Sequence, residues 1–185
     1  MPARLVVLAS GSGTTLQAVL DAHRERVVAA GTDRPGCRAM QRAEAAGVPT
    51  FAAAPGGQPD RAAWNKALSD ELAAHRPDLV VLAGFMRLLG ADVVERFDMV
   101  NTHPSLLPAF PGAHAVRDAL AYGVKVTGVT VHRVDAGVDT GAILAQATVE
   151  VEPGDDEATL TARIQAVEKP LYVATLTRLI EELEQ

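Results

Sequence analysis

Residues 5–15 read Leu5-Val6-Val7-Leu8-Ala9-Ser10-Gly11-Ser12-Gly13-Thr14-Thr15, an apolar run that ends abruptly in a glycine-bearing turn. Such a run fits a strand buried on both faces, because a half-exposed strand would alternate apolar and polar positions. Leu16, Val19, Leu20 and His23 then recur at helical spacing, so the stretch reads as strand, turn and helix. The same unit returns downstream. Val27-Val28-Ala29-Ala30 is a second apolar run, Arg38 to Ala46 is helical with Gly47 as its stop, and Val48 to Ala53 is a short third run. Beyond a loop over Pro55 to Pro59, Asp60 caps a predicted helix to about His75 that Pro77 closes. Leu79-Val80-Val81-Leu82-Ala83 gives the clearest strand, broken by Gly84. A short helix around Ala91 to Phe97 leads to a strand through Met99, Val100 and Asn101, after which Pro104, Pro108 and Pro111 forbid regular structure.

Strands alternating with helices predict an α/β fold, an open and mostly parallel twisted sheet flanked by helices. The second half changes character. Val129, Val131 and Arg133 alternate with Thr130 and His132, and Ile143, Ala145, Ala147, Val149 and Val151 alternate with Leu144, Gln146, Thr148 and Glu150. This predicts an antiparallel strand pair joined by Asp135 to Gly141. A final helix begins near Asp155 or Asp156 and runs to the end, with Pro170 expected to kink or interrupt it.

With 185 residues, 48% of them apolar, and 23 acidic against 17 basic side chains, the composition is that of a soluble globular protein. A chain of this size buries roughly 70% of its unfolded surface and needs no staple. Cys37 is alone, which excludes an internal disulfide and a Cys-based zinc site and leaves the cytoplasm as the expected compartment. No stretch nears the roughly 20 apolar residues of a membrane span, and Leu5 to Ala9 is too short for a signal-peptide core. The net charge of −6 argues against nucleic acid as a partner but leaves room for a local anion site.

Three places carry chemistry. Ser10 to Thr15 lies where a strand feeds a helix, so backbone N–H groups and the positive helix end favour an anion such as phosphate. No Gly-Lys pair follows, so it is not a nucleotide P-loop. Leu16 stands where a dinucleotide fingerprint needs its third glycine, although Asp33 lies where a ribose-binding acid would. Asn101 and His103 share one face at the end of a strand, where an amide and an imidazole suit a carbonyl oxygen gaining negative charge. Asp139 sits in the connection of the antiparallel pair. A carboxylate near an imidazole favours the protonated ring and would make it a general acid. Taken singly, each has a plainer structural reading: a tight turn, a structural His before prolines, a turn-forming Asp.

Together, these stretches resemble the folate-dependent phosphoribosylglycinamide formyltransferases of purine synthesis across nearly the whole chain. The likeness rests on Leu5 to Thr15; Val80 to Leu89; Asn101 to Pro108 with Phe110-Pro111-Gly112; Gly128 to Gly141; and Thr161 to Glu168. It implies one formyltransferase domain over residues 1–185, with 1–95 as the phosphate-turn half and 96–185 as the folate and catalytic half. The implied reaction moves the formyl group of 10-formyltetrahydrofolate, a co-substrate, to the amine of 5′-phosphoribosylglycinamide, and no metal is implied. Asn101, His103 and Asp139 correspond to the catalytic positions. Gly13, Thr14 and Thr15 correspond to phosphate contacts, and Gly84, Pro104, Gln165 and Glu168 to positions holding the ribose and glycinamide end, with Glu168 facing the amine. Met86, Arg87, Leu88 and Leu89 correspond to the pterin site, Arg61 to another folate contact, and Asn101 also touches the formyl end. On their own residues, Phe85, Met86, Leu88 and Leu89 read instead as core after a buried strand. His132 and His114 receive no role.

Thr15 departs from the Asn that the phosphate turn often carries, and the chain ends at Gln185, where many relatives continue. A monomer or homodimer acting on small molecules is expected. Competing readings are a formyltetrahydrofolate hydrolase, in which water replaces the amine, a dinucleotide-dependent oxidoreductase using Gly11, Gly13 and Asp33, and a non-catalytic sensor of sugar phosphates. Hydrolases commonly carry an extra N-terminal domain, and formyltransferases acting on aminoacyl-tRNA or nucleotide sugars an extra C-terminal one; neither is expected here.

Overall fold

In the computed structural model, which describes residues 1–185, the two apolar runs that define the reading are strands at the centre of one sheet: β1 (Leu5–Leu8) and a later strand over Leu79–Leu82. All eight residues are buried, and full burial of such a side chain contributes roughly 1.5–3 kcal/mol. In chain order the elements are β1, α1 (Thr14–His23), β2 (Val27–Thr32), α2 (Arg38–Ala45), β3 (Thr50–Ala52), α3 (Arg61–His75), β4 (Leu79–Leu82), α4 (Ala91–Val94), β5 (Met99–His103), α5 (Ala115–Tyr122), β6 (Val126–Arg133), β7 (Ile143–Glu150) and α6 (Glu157–Leu183). The seven-stranded sheet has the order β3-β2-β1-β4-β5-β6-β7. β1 pairs in parallel with β2 and β4, β2 pairs in parallel with β3, and β6 and β7 are antiparallel. This is the mostly parallel α/β sheet with one antiparallel pair that the apolar patterning predicts.

By its internal packing the chain divides into two compact units, Met1–Val100 together with Ile180–Gln185, and Asn101–Leu179. Within the first, Leu16, Val19 and Leu20 bury one face of α1, while Asp60 caps α3 by accepting the Ala63 N–H at 2.8 Å. Glu184 ties the C-terminal segment to this unit through Arg26 at 3.0 Å and the Ala3 N–H at 2.9 Å. Within the second unit, Val116, Val129, Val149, Leu160 and Ile164 form a buried cluster, so α5 and α6 pack on the antiparallel pair.

Asp156 and Thr159 satisfy each other's N–H groups across the start of α6, at 2.9 and 2.8 Å. The side-chain hydrogen bonds of Arg163, helped by the Glu152 N–H, lower the Asp155 carboxyl to about 2. Two expectations about elements change. α6 is not interrupted at Pro170, whose position is exposed, so the carbonyl one turn back that loses its partner is open to water. α5, in the segment expected to be irregular, is a real helix with Ala115, Val116 and Ala119 buried, ending at Gly123 in the left-handed conformation. No helix is long and apolar enough to cross a membrane.

Candidate active site

In the first unit, the turn after β1 is shaped from behind by α2. Gly13 is the N-cap of α1 with φ +72°, and a Cβ there would lie 2.5 Å from the Ala39 Cα, so glycine is required on two counts. Ala39 N–H donates to the Gly11 carbonyl at 3.0 Å, and Arg42 Nε donates to the Ser12 carbonyl at 2.9 Å. No side chain caps α1, and its first turn holds no acidic residue, which suits an anion at Gly13, Thr14 and Thr15.

Ser10 anchors the other side of the turn. Its N–H donates to the Gly84 carbonyl at 3.1 Å, and its Oγ donates to Asp33 while accepting the Met86 N–H at 2.8 Å. The second oxygen of Asp33 accepts Arg87 Nε at 2.8 Å. The Asp33 side chain is wholly buried, with both oxygens engaged inside the protein. This removes the ribose-binding acid on which a dinucleotide reading depends: the residue is a strut between the turn and the segment after β4.

That segment is not core. Met86 is 70% and Leu88 59% exposed, Phe85 and Leu89 are half-buried, and Gly84 turns the chain with φ +74°. The core reading of these apolar residues is therefore overturned: the Ser10–Asp33–Arg87 ties hold the backbone, Met86 and Leu88 face outward, and Phe85 and Leu89 are only half-buried. Met86, Arg87, Leu88, Arg61, Trp64 and Gln58 line a cavity of about 460 Å³, the size of a small-molecule site. Arg61 Nη2 donates to the Leu88 carbonyl at 3.1 Å, so it also holds the wall of this cavity.

In the second unit, the end of β5 and the β6–β7 connection come together. His103 is 5% exposed; its Nε2 lies 2.8 Å from the Phe110 carbonyl and its Nδ1 3.3 Å from Asp139 Oδ2. Both ring nitrogens thus face oxygen acceptors, and only the doubly protonated ring has a donor for each. Asp139 adopts φ +56°, and its Oδ2 accepts the Gly112 N–H at 2.7 Å, which pins the carboxylate in place. Its other oxygen lies 3.6 Å from His132 Nε2. His132 Nδ1 donates to the Arg133 carbonyl at 2.8 Å, leaving Nε2, 3.4 Å from Asn101 Nδ2, to accept one amide hydrogen. Asn101 keeps its second amide hydrogen for another oxygen.

The structure therefore gathers Asn101, His103 and Asp139 into one cluster and adds His132, which the sequence reading leaves without a role. A signal was present: Thr130 and His132 are polar, lie on one face of an apolar strand, and are both buried, so each needs a partner. Pro104 follows His103 directly and is half-buried. Gln165 and Glu168 lie one turn apart on α6, the first exposed and the second buried and engaged. His114 is exposed and precedes α5.

The sequence pattern of the formyl transferases spans residues 3–176 of the chain. The chain belongs to the formyl transferase family. Among members of this family, the phosphoribosylglycinamide formyltransferase of Mycobacterium tuberculosis is 57% identical over 184 residues, which cover 96% of this chain and 85% of the relative. That of Bacillus subtilis is 38% identical over 184 residues, covering 96% and 94%. The crystal structure of glycinamide ribonucleotide transformylase 1 from Symbiobacterium toebii superposes with a TM-score of 0.94 at 45% identity, covering 97% of this chain and 88% of that one. The formyl transferase fold thus carries, in this chain, a polar cluster suited to acyl transfer.

Proposed function

We propose that this chain transfers the formyl group of 10-formyltetrahydrofolate to the amine of 5′-phosphoribosylglycinamide. The observation that carries the reading is the cluster in which one carboxylate, Asp139, faces both His103 and His132 while the Asn101 amide has a hydrogen to spare. Relatives with extensive identity are phosphoribosylglycinamide formyltransferases, which supports this acceptor over water, aminoacyl-tRNA or a nucleotide sugar.

In this reading the substrate amine attacks the formyl carbon, and the carbonyl electron pair moves to oxygen. The free Asn101 N–H and the protonated His103 meet the developing negative charge, with the formyl oxygen taking over from the Phe110 carbonyl as acceptor for the ring. A proton leaves the attacking nitrogen and one reaches the folate nitrogen, the carbon–nitrogen bond to folate breaks, and the formamide and tetrahydrofolate are the products. Asp139 holds the charged imidazole, and His132 orients the amide. The turn at Gly13, Thr14 and Thr15 binds the acceptor phosphate, while Gly84, Pro104, Gln165 and Glu168 serve its ribose and glycinamide end. Met86, Arg87, Leu88, Leu89 and Arg61 serve the folate.

The test is formyl transfer to phosphoribosylglycinamide, followed by the absorbance change as the folate loses its formyl group, with a control lacking the amine. Formylated product should form only with both substrates. Loss of the formyl group at the same rate without the amine would mean hydrolysis and refute the reading.

A further inference from the structure

Arg42 lies on α2, outside every segment that carries the likeness to the formyltransferases, yet it touches the turn after β1. Its Nε donates to the Ser12 carbonyl at 2.9 Å and its Nη1 to the Gln17 side-chain oxygen at 3.2 Å. One turn earlier on the same helix, the Ala39 N–H holds the Gly11 carbonyl at 3.0 Å. A trans peptide is planar, with its C=O and N–H on opposite sides. Because the Gly11 and Ser12 carbonyls are drawn toward α2, the N–H groups of Ser12 and Gly13, which belong to those same two peptides, are turned away from it. Gly13 makes the close approach feasible: a Cβ there would lie 3.2 Å from the Arg42 Cδ. Both acceptors of Arg42 are neutral and the first turn of α1 has no acidic side chain, so the guanidinium charge is not cancelled beside the turn.

We infer that Arg42 is a positioning residue for the acceptor phosphate, aiming two backbone N–H groups at it from behind and adding a fixed positive charge to their field. The inference rests on the reading of this turn as the phosphate site. It makes α2 a determinant of selectivity for phosphorylated over unphosphorylated acceptors. The charge acts from the far side of the peptides and is partly exposed to solvent, so its influence on affinity is roughly two- to thirtyfold, the range of a charge at a helix end.

The experiment titrates the full chain calorimetrically with phosphoribosylglycinamide and with its dephosphorylated riboside, at low and high salt. Arg42→Gln keeps an amide that can reach the Ser12 carbonyl but removes the charge; Arg42→Lys keeps the charge without the planar fork. Arg42→Gln should weaken the phosphorylated acceptor roughly two- to thirtyfold, and the loss should shrink at high salt. The riboside affinity and the KM for the formyl donor should stay within about twofold. Arg42→Lys should recover part of the loss. Equal affinity of Arg42→Gln and the unaltered chain for the phosphorylated acceptor would overturn the inference. Equal losses for both acceptors would also overturn it, since they would mark a loosened turn rather than a phosphate effect. If the unaltered chain itself fails to prefer the phosphorylated acceptor, the phosphate reading of the turn falls first.

Discussion

Replacing Asp139 by Asn separates the charge of this side chain from its shape. The Asn carboxamide oxygen can still accept the Gly112 N–H, which Asp139 Oδ2 now accepts at 2.7 Å. Asn also tolerates the left-handed backbone, φ +56°, that this position requires. Folding therefore loses the charge assistance of that hydrogen bond and the charge facing His103, together about 1–3 kcal/mol, or a melting temperature lower by roughly 2–12 °C. Catalysis loses much more. The carboxylate 3.3 Å from His103 Nδ1 and 3.6 Å from His132 Nε2 becomes a neutral amide that presents either an oxygen or hydrogens to those rings. General acid catalysis contributes about 10²- to 10⁴-fold, so kcat should fall by about that factor, some 3–5 kcal/mol at the barrier. The assay is steady-state formyl transfer with both substrates saturating, alongside a thermal melt of the same preparation. A kcat within about threefold of the unaltered chain would show that the charge at position 139 does not support the reacting imidazole. Loss of activity matched by loss of folded protein would equally defeat the reasoning.

Leu88→Ala tests whether the segment after β4 serves a ligand. A residue 59% exposed should change stability by no more than about 0.5 kcal/mol in urea, against about 2–5 for a core leucine, while the donor KM rises roughly five- to thirtyfold. Gly13→Ala forces a Cβ to 2.5 Å from the Ala39 Cα at a φ of +72°. It should cost about 1–3 kcal/mol in urea unfolding and raise the acceptor KM more than the donor KM. The pH dependence of stability should show Asp155. Its carboxyl is lowered in the folded state to about 2 from its ordinary value of 3.8, so the stabilisation is present above pH 3.8 and lost as pH falls through about 2. Acid unfolding of the chain and of Asp155→Asn, followed by circular dichroism, should differ at pH 5 and converge near pH 2; a constant difference would contradict this.

The core strands were readable because β1 and β4 are buried on both faces and so appear as unbroken runs of Leu, Val and Ala. β2 extends through Gly31 and Thr32, past the apolar run that marks it, since its end is held by main-chain pairing with Phe51 and Ala52 rather than by side-chain hydrophobicity. α5 was hidden by the prolines before it, and its buried face consists of two alanines and one valine, a weak apolar stripe. Pro170 does not end the helix, because the hydrogen bond it removes lies in a turn at the surface, where water can take the freed carbonyl. Among the candidate site residues, Asn101 and His103 stand out in the sequence by their spacing on one strand. Asp139 needed company that only a family likeness supplied. The part played by His132 depends on the β6–β7 connection bringing Asp139 back over β6, which no local pattern encodes. Met86 and Leu88 were ambiguous for a similar reason: their outward direction follows from the Ser10–Asp33–Arg87 ties, formed by residues far apart in sequence.

The most direct measurement of the central claim is a single turnover by the His103→Gln chain with both substrates bound. Gln can keep a donor to the Phe110 carbonyl but cannot carry the proton of an imidazolium. Calorimetric affinities for the acceptor and for a folate donor analogue should stay within about threefold, while the rate of formyl transfer falls at least about a hundredfold. Transfer at the unaltered rate, with both ligands bound, would contradict the account.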